Sequence, residues 1–570
     1  MTTPRPATEQ VAHIDEAVAA LARGETTWSA CGLAKRRELL ERVHAAAAEQ
    51  AEAWVRAAAG YKQLPDDSPL LGEEWLTGPY PVLTGTSALA ASIRALERGT
   101  SPVDSFALQE APGGRVGVRV LPHGLFDRLL LSGFTAHVWM PPGVTTEAVR
   151  TQAGLGMRNP TETAGIGVVL GAGNITSIPV LDVLYELYAH NRVVALKLNP
   201  LTDALHPVFS RVLAPLIELD AVRILTGGAN VGTHLVHHPR VQHVHMTGSA
   251  ATHDAIVFGD GAEGTARKNA GTPVLDKDIT SELGGVSPTL ILPGRWSEAD
   301  LRFQAEHVVT QRLHNGGYNC VASQVVVVSS DWGQKERFLD HLRTALANAP
   351  QRPAYYPGSD DRVARALDAH PGAEQHGGRI LLPGLDLGQS CPALTTEYFA
   401  PVLAVLELPG DAKSFLDTAV RTVNEEFTGT LGVNIIAHPR TIAGLGSSLD
   451  NAIAELRYGT VAVNAWTGVG YLTATAPWGA YPGHTLTDVQ SGIGVVHNAA
   501  LLDGPERTVV RGPFRPAPRS ILHGELAMSP KPPWFVTNRT AATTARLLTD
   551  FAAEPRWSAL PAIFASALRG

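Results

Sequence analysis

Cysteine is scarce: only Cys31, Cys320 and Cys391 occur in 570 residues, an odd number at distant positions. That spacing excludes a disulfide framework and a zinc-ligand cluster, so no metal is expected, and a reducing cytosol fits best. Long apolar runs are missing too. Nothing is long enough to span a bilayer, and the polar start at 1–16 has no apolar signal region, so a cytoplasmic protein without a membrane partner is expected. A strong charge of one sign is also absent. The net charge of -8 is spread along the chain and argues against a nucleic-acid partner. There is no internal repeat and no low-complexity tract. What remains, 44% hydrophobic and 18% charged, describes a globular chain long enough for two or three domains.

In chain order, residues 1–12 read as a disordered leader. Residues 33–60 read as one helix, with Leu40, Val43, Ala47, Ala51 and Trp54 repeating at helical spacing before Gly60. A shorter helix over 88–97 and strands over 116–121 and 134–140 follow. A clean βαβ unit comes next: an apolar strand over 165–170, the turn Gly171-Ala-Gly-Asn174, a helix facing one way with Val180, Leu184 and Leu187, and a strand over 192–197. Strand, crossover helix and strand within about 35 residues imply a parallel sheet. Further strands are expected over 222–225 and 241–246, with a helix over 206–219 between the βαβ unit and the first of them. Residues 251–280 are polar and charged and read as a surface loop. A strand over 288–292 follows, and a further α/β section from 300 to about 464 carries strands over 325–328, 402–406 and 431–436 and helices over 334–348 and 445–456. The basic, proline-bearing stretch 507–519 reads as a solvated tail rather than a docking site for an acidic partner.

Cys320 sits in a polar loop, His314-Asn-Gly-Gly-Tyr-Asn-Cys320, that feeds the apolar run Val325 to Val328. A cysteine at the mouth of a buried strand suits a nucleophile, because the sheet positions it and the loop exposes it. The plainer alternative is a small buried hydrophobe.

Several segments in fixed order decide between the two. Met246-Thr-Gly-Ser249, Glu282-Leu-Gly-Gly285 before Ser287-Pro288, Asn315 to Cys320 and Glu397-Tyr-Phe-Ala-Pro401 join the turn at Asn174 and the strand ending in Lys197. Val463-Asn-Ala-Trp466, Pro477-Trp-Gly-Ala480 and Ser491-Gly492 follow. Together they resemble the aldehyde dehydrogenase superfamily over roughly 33–495. The resemblance implies two Rossmann-like parallel-sheet α/β domains, cofactor-binding over 1–292 and catalytic over 293–485, with an oligomerisation or extension segment over 486–570. It implies NAD(P)-dependent oxidation of an aldehyde: Cys320 the nucleophile, Asn174 the oxyanion donor helped by the Cys320 N–H, and Glu282 the base for deacylation. Lys197, Gly248, Ser249, Leu283, Glu397 and Phe399 are implied to hold NAD or NADP, and a homodimer or homotetramer is expected.

The departures from the family pattern matter. Ala172-Gly173 replaces a Pro-Trp pair, Val286 stands for the usual lysine, and Gly317-Tyr318 stands for the usual Gly-Gln. Pro200 occupies the place of an acidic residue that would repel a 2′-phosphate, which makes NADP admissible. Two other functions stay open. One is reduction of an acyl-CoA or carrier-bound acyl group, against which Glu282 argues; the other is a non-catalytic scaffold.

Overall fold

The computed structural model describes residues 8–389 and 391–570. Two sheets organise it. In the smaller, Asp278–Leu283, Val241–Gly248, Ile166–Leu170, Val193–Lys197 and Val222–Leu225 lie side by side in that order, all parallel. Gly492–Ile493 adds an antiparallel edge. The strand order reverses between Ile166–Leu170 and Val241–Gly248, and a crevice opens at such a point beyond the carboxyl ends of the strands. The crossover helix Ile178–His190 is buried on almost every side, which explains its nearly continuous apolar sequence.

The larger sheet has eleven strands, seven of them parallel: Arg507–Arg511, Thr460–Val463, Gly432–Ile436, Ser287–Ile291, Ser323–Ser329, Val402–Leu408 and Arg379–Leu385. Val325 to Val328 at its centre are fully buried, as their uninterrupted β-branched run implies. Burial of each side chain stabilises by about 1.5–3 kcal/mol. The N-terminal helix Leu33–Tyr61 buries its whole expected face, Leu40, Val43, Ala47, Ala51 and Trp54, and packs on Pro79–Glu97. No helix among the described residues is long and apolar enough to cross a membrane.

Sheet membership departs from the expected three parts. Ser287–Ile291, placed before 292, belongs to the larger sheet. So do Ala107–Ala111, Arg115–Leu121 and Thr135–Trp139, which pair antiparallel at one end. The segment beyond 486 is no separate element, since Arg507–Arg511 is an internal strand between Thr460–Val463 and Thr135–Trp139. The solvated tail is therefore corrected for this stretch. Arg507 is buried and donates to the carbonyls of Ile453 at 2.6 Å and Ala454 at 3.2 Å. Those carbonyls close the helix Ser447–Glu455, where a cation is favoured.

Two other expectations change. The leader ends early, because the helix Thr8–Ser29 already includes 8–12, while 1–7 lie outside the described residues. The loop over 251–280 is mostly two helices, Ala250–Phe258 and Gly261–Ala270. Its charges are helix pairs: Glu263 with Arg267 four residues on, and Lys268 with Asp254 at 2.7 Å. Gly264 lets the two helices meet, since a Cβ there would fall 1.8 Å from the Gly259 carbonyl oxygen.

Candidate active site

The loop before Cys320 turns through three left-handed residues: Asn315 (φ 56°), Gly316 (φ 70°) and Gly317 (φ 84°). Glycine adopts this backbone without strain, whereas Asn315 is held in it by contacts on every polar atom. Its Nδ2 donates to the carbonyls of Tyr318 at 2.8 Å and Asn174 at 3.2 Å. Its Oδ1 accepts from Lys62, Arg352 and Tyr355 at 3.1–3.2 Å. Its backbone N–H donates to Glu73 at 2.9 Å. Lys62 and Arg352 are in turn paired with Glu74 at 2.8 and 2.9 Å. Sequence reasoning singled out none of Lys62, Glu73, Glu74 or Arg352. They lie far apart in the chain, and a buried charge has no local signature. Removing one partner of such a pair typically costs about 3–5 kcal/mol.

Cys320 precedes the amino end of Ser323–Ser329, whereas Asn174 and Glu282 come from the carboxyl edge of the smaller sheet. The two sheets thus meet edge to edge at the thiol. Cys320 Sγ lies 3.4 Å from Glu282 Oε1. The same oxygen accepts the indole N–H of Trp478 at 2.8 Å, while Glu282 Oε2 is buried without a partner. Burial raises Glu282 above its ordinary carboxylate value, with the Trp478 donor opposing. Burial, then the adjacent Glu282, pushes the Cys320 thiol well above the usual range. In this state the thiol keeps its proton, beside a carboxylate able to take one. Asn174 reaches the same space and donates one amide N–H to the Tyr318 carbonyl at 3.1 Å. Trp478 belongs to a quoted motif but carried no assigned role; its side chain orients the base.

The cleft reached by the thiol occupies about 930 Å³. It lies on the crevice predicted by the strand order and is lined by Gly171 to Asn174, Thr247 to Ser249 and Lys197. Ser249 caps the helix Ala250–Phe258, accepting from Thr252 N at 3.1 Å, so the helix start faces the cleft. Helix starts favour phosphate groups. Lys197 is 7% exposed and makes no side-chain hydrogen bond or salt bridge among the described residues. Burial lowers its pKa, with Asp203 opposing. Gly248 and Gly173 keep the floor open, because a Cβ would meet Met246 at 3.1 Å or Asn199 at 2.8 Å.

Gly284 has a sharper reason to be glycine: a Cβ would lie 2.1 Å from Glu397 Oε1. Burial pushes Glu397 up to about 8, opposed chiefly by Arg312. Arg312 in turn donates to the Gly317 carbonyl at 2.9 Å, which ties this carboxylate to the Cys320 loop. Phe399 lines the cleft in a left-handed backbone (φ 44°), its ring 4.9 Å from Tyr356. A bulky residue at such a φ is strained and held by its surroundings. Leu283 differs from the expectation. Strand alternation puts its side chain in the core, 1% exposed, while Glu282 and Gly284 on either side line the cleft. Any contact from Leu283 is left to its backbone.

Residues 165–360 match the family model described as "Aldehyde dehydrogenase family". An aldehyde dehydrogenase, LUC3, of a Fusarium species is 28% identical over 143 residues, which is 25% of this chain and 28% of that protein. The D-glyceraldehyde dehydrogenase (NADP(+)) of Thermoplasma acidophilum is 26% identical over 189 residues, 32% of this chain and 34% of that protein. The chain thus aligns with about a third or less of the length of these curated relatives. The crystal structure of an NAD-dependent aldehyde dehydrogenase from Sinorhizobium meliloti shares the fold at a TM-score of 0.59 and 17% identity. That likeness covers 89% of this chain and 88% of the other.

Proposed function

We propose that the chain, which matches the aldehyde dehydrogenase family model over residues 165–360, oxidises an aldehyde to a carboxylic acid with NAD or NADP. The observation that carries this reading is the pairing of Cys320 Sγ with Glu282 Oε1 at 3.4 Å, at the inner end of a glycine-floored cleft. The residues present fit a dinucleotide: a helix start at Ser249 for the pyrophosphate, Lys197 for the adenosine ribose, and Glu397 with Phe399 for the nicotinamide end. When bound, that cofactor supplies the hydride acceptor.

Cys320 loses its proton to Glu282 and attacks the aldehyde carbon, forming the C–S bond of a thiohemiacetal. Asn174, through its second amide N–H, and the Cys320 backbone N–H stabilise the oxyanion. Collapse of the oxyanion expels hydride and leaves a thioester on Cys320. Glu282, free again after passing its proton to solvent, takes a proton from water; the hydroxide adds to the thioester and the thiolate departs. The raised value of Glu282 suits a base that works near neutrality. A base this close to the sulfur favours hydrolysis over transfer to CoA.

NADP is taken at least comparably to NAD, because Pro200 and Asn199 line the cleft beyond Lys197 where a carboxylate would repel a 2′-phosphate. Three unpaired cysteines are consistent with a cytoplasmic enzyme. Assembly into a homodimer or homotetramer has a ready surface in Ala107–Ala111, a strand paired on one side only among the described residues.

The test is an aldehyde panel read as NADH and NADPH formation, with and without CoA, on the native chain and Cys320→Ala. The native chain is expected to turn over without CoA with either cofactor, and Cys320→Ala to fall below a few per cent while still binding cofactor. Undiminished turnover in the variant overturns the nucleophile.

A further inference from the structure

Cys320 borders a second space. A narrow neck of about 30 Å³ is lined by Ile175, Val321, Trp466 and Tyr471 as well as the cysteine. The neck shares Leu76, Leu472 and Trp534 with a cavity of about 420 Å³, which sets the cavity next to the space that reaches the thiol. The cavity's walls are mostly apolar, among them Phe126, Leu130, Leu548 and Phe551, with His123, Asp127 and Lys531 also lining it. One wall is the helix Pro79–Glu97, whose Thr84, Ser87, Ala88 and Ala91 present a small-residue face at helical spacing and keep the space open. The opposite wall belongs to 529–567, within the stretch expected to serve oligomerisation or extension. The rim is apolar as well. Trp557 is 60% exposed and packs 4.8 Å from Phe126, beside Leu125 at 58% exposure.

We propose that this cavity holds the hydrocarbon chain of the aldehyde, so that the substrates are medium- to long-chain apolar aldehydes that reach Cys320 through the neck. The inference rests on the aldehyde-oxidising reading of Cys320 and assigns its substrate class. A binding volume of a few hundred Å³ lined by apolar and aromatic side chains is what a ligand of that size requires. No polar wall group is needed for the tail; only the aldehyde carbon must reach the thiol. The C-terminal segment is then a substrate wall.

The test is a series of straight-chain aldehydes from acetaldehyde to dodecanal, with dodecanoate binding to Cys320→Ala measured by calorimetry. The ratio kcat/KM is expected to rise roughly fourfold per added methylene until the cavity fills. Dodecanoate is expected to bind and acetate not to. Ala88→Phe, which fills the cavity from the face of Pro79–Glu97, is expected to erase the gain for long chains and abolish dodecanoate binding. Unchanged thermal unfolding and NADPH binding report that the variant is folded, and an undiminished chain-length gain in it overturns the proposal. A flat dependence on chain length, together with no dodecanoate binding, overturns the proposal while leaving the oxidising reading standing. If no aldehyde of any length is oxidised but dodecanoate binds, it is the oxidising reading that fails. A chain that dimerises and hides Trp557 from a quencher, with dodecanoate excluded, makes the cavity an interface and also overturns the proposal.

Discussion

The two spaces that meet at Cys320 are built differently. The cleft of about 930 Å³ is made of turns that follow strands of the smaller sheet, each within a few residues of the strand that positions it. Its polar groups stand at fixed places, and its glycines keep side chains out. The cavity of about 420 Å³ is framed mainly by helices rather than by strand-borne turns. It is enclosed by the face of Pro79–Glu97 from one end of the chain and, from the other, by the proline-bearing stretch 529–534 with the helices Ala541–Ala553 and Leu560–Ala567. Sheet-borne turns hold a charged ligand in one register, whereas apolar walls accept a chain of variable length. On the proposed reading, precision is concentrated on the cofactor side and tolerance on the substrate side.

The contrast is most strongly tested from the cleft. Gly284→Ala places a methyl group against Glu397, and overpacking of this kind costs about 1–3 kcal/mol, or roughly five- to 150-fold. Fluorescence titration is expected to show NADPH binding weakened by that factor, with the dependence on aldehyde chain length unchanged. A variant that binds NADPH normally, or that alters chain-length selectivity instead, breaks the separation of the two sides.

A smaller effect is expected where the sides join. Trp478 forms part of the neck, yet its indole serves Glu282 on the cleft side. That N–H holds the Glu282 pKa down, so Trp478→Phe is expected to raise it further. A base acts deprotonated, so the acid limb of the pH–rate profile moves to higher pH. Below that limb the rate falls roughly tenfold, the cost of one hydrogen bond to a charged group at about 1.5 kcal/mol. An unmoved acid limb assigns Trp478 to packing alone.

The same contrast explains what the sequence made legible. The βαβ unit, the crossover helix and the strands around Cys320 are written in local periodicity, and the cleft residues lie within short motifs beside them. The direction of the Leu283 side chain was not legible because a motif carries none, whereas strand alternation decides it. The helices over 250–270 were hidden because charge pairs four residues apart look like loop composition when the helix is exposed. Arg507–Arg511 was hidden because its arginines are satisfied by tertiary contacts, Arg507 by carbonyls more than fifty residues away beside Glu506 and Arg511 by Asp450. The support beneath the Cys320 loop, Lys62 with Glu73, Glu74 and Arg352, is likewise a property of tertiary contact. So is the whole cavity, whose walls come from both halves of the chain.

The most direct measurement is pre-steady-state mixing of Glu282→Gln with aldehyde and NADP, followed by mass spectrometry of the enzyme. Loss of one general base costs about a hundredfold to ten-thousandfold, so deacylation is expected to stall while acylation still occurs. The hydrolytic mechanism therefore predicts a burst of one NADPH per subunit, a slow steady rate after it, and an acyl group on Cys320. Normal turnover of this variant, with added CoA accelerating both it and the native enzyme, would contradict the mechanism and point to acyl transfer to CoA instead.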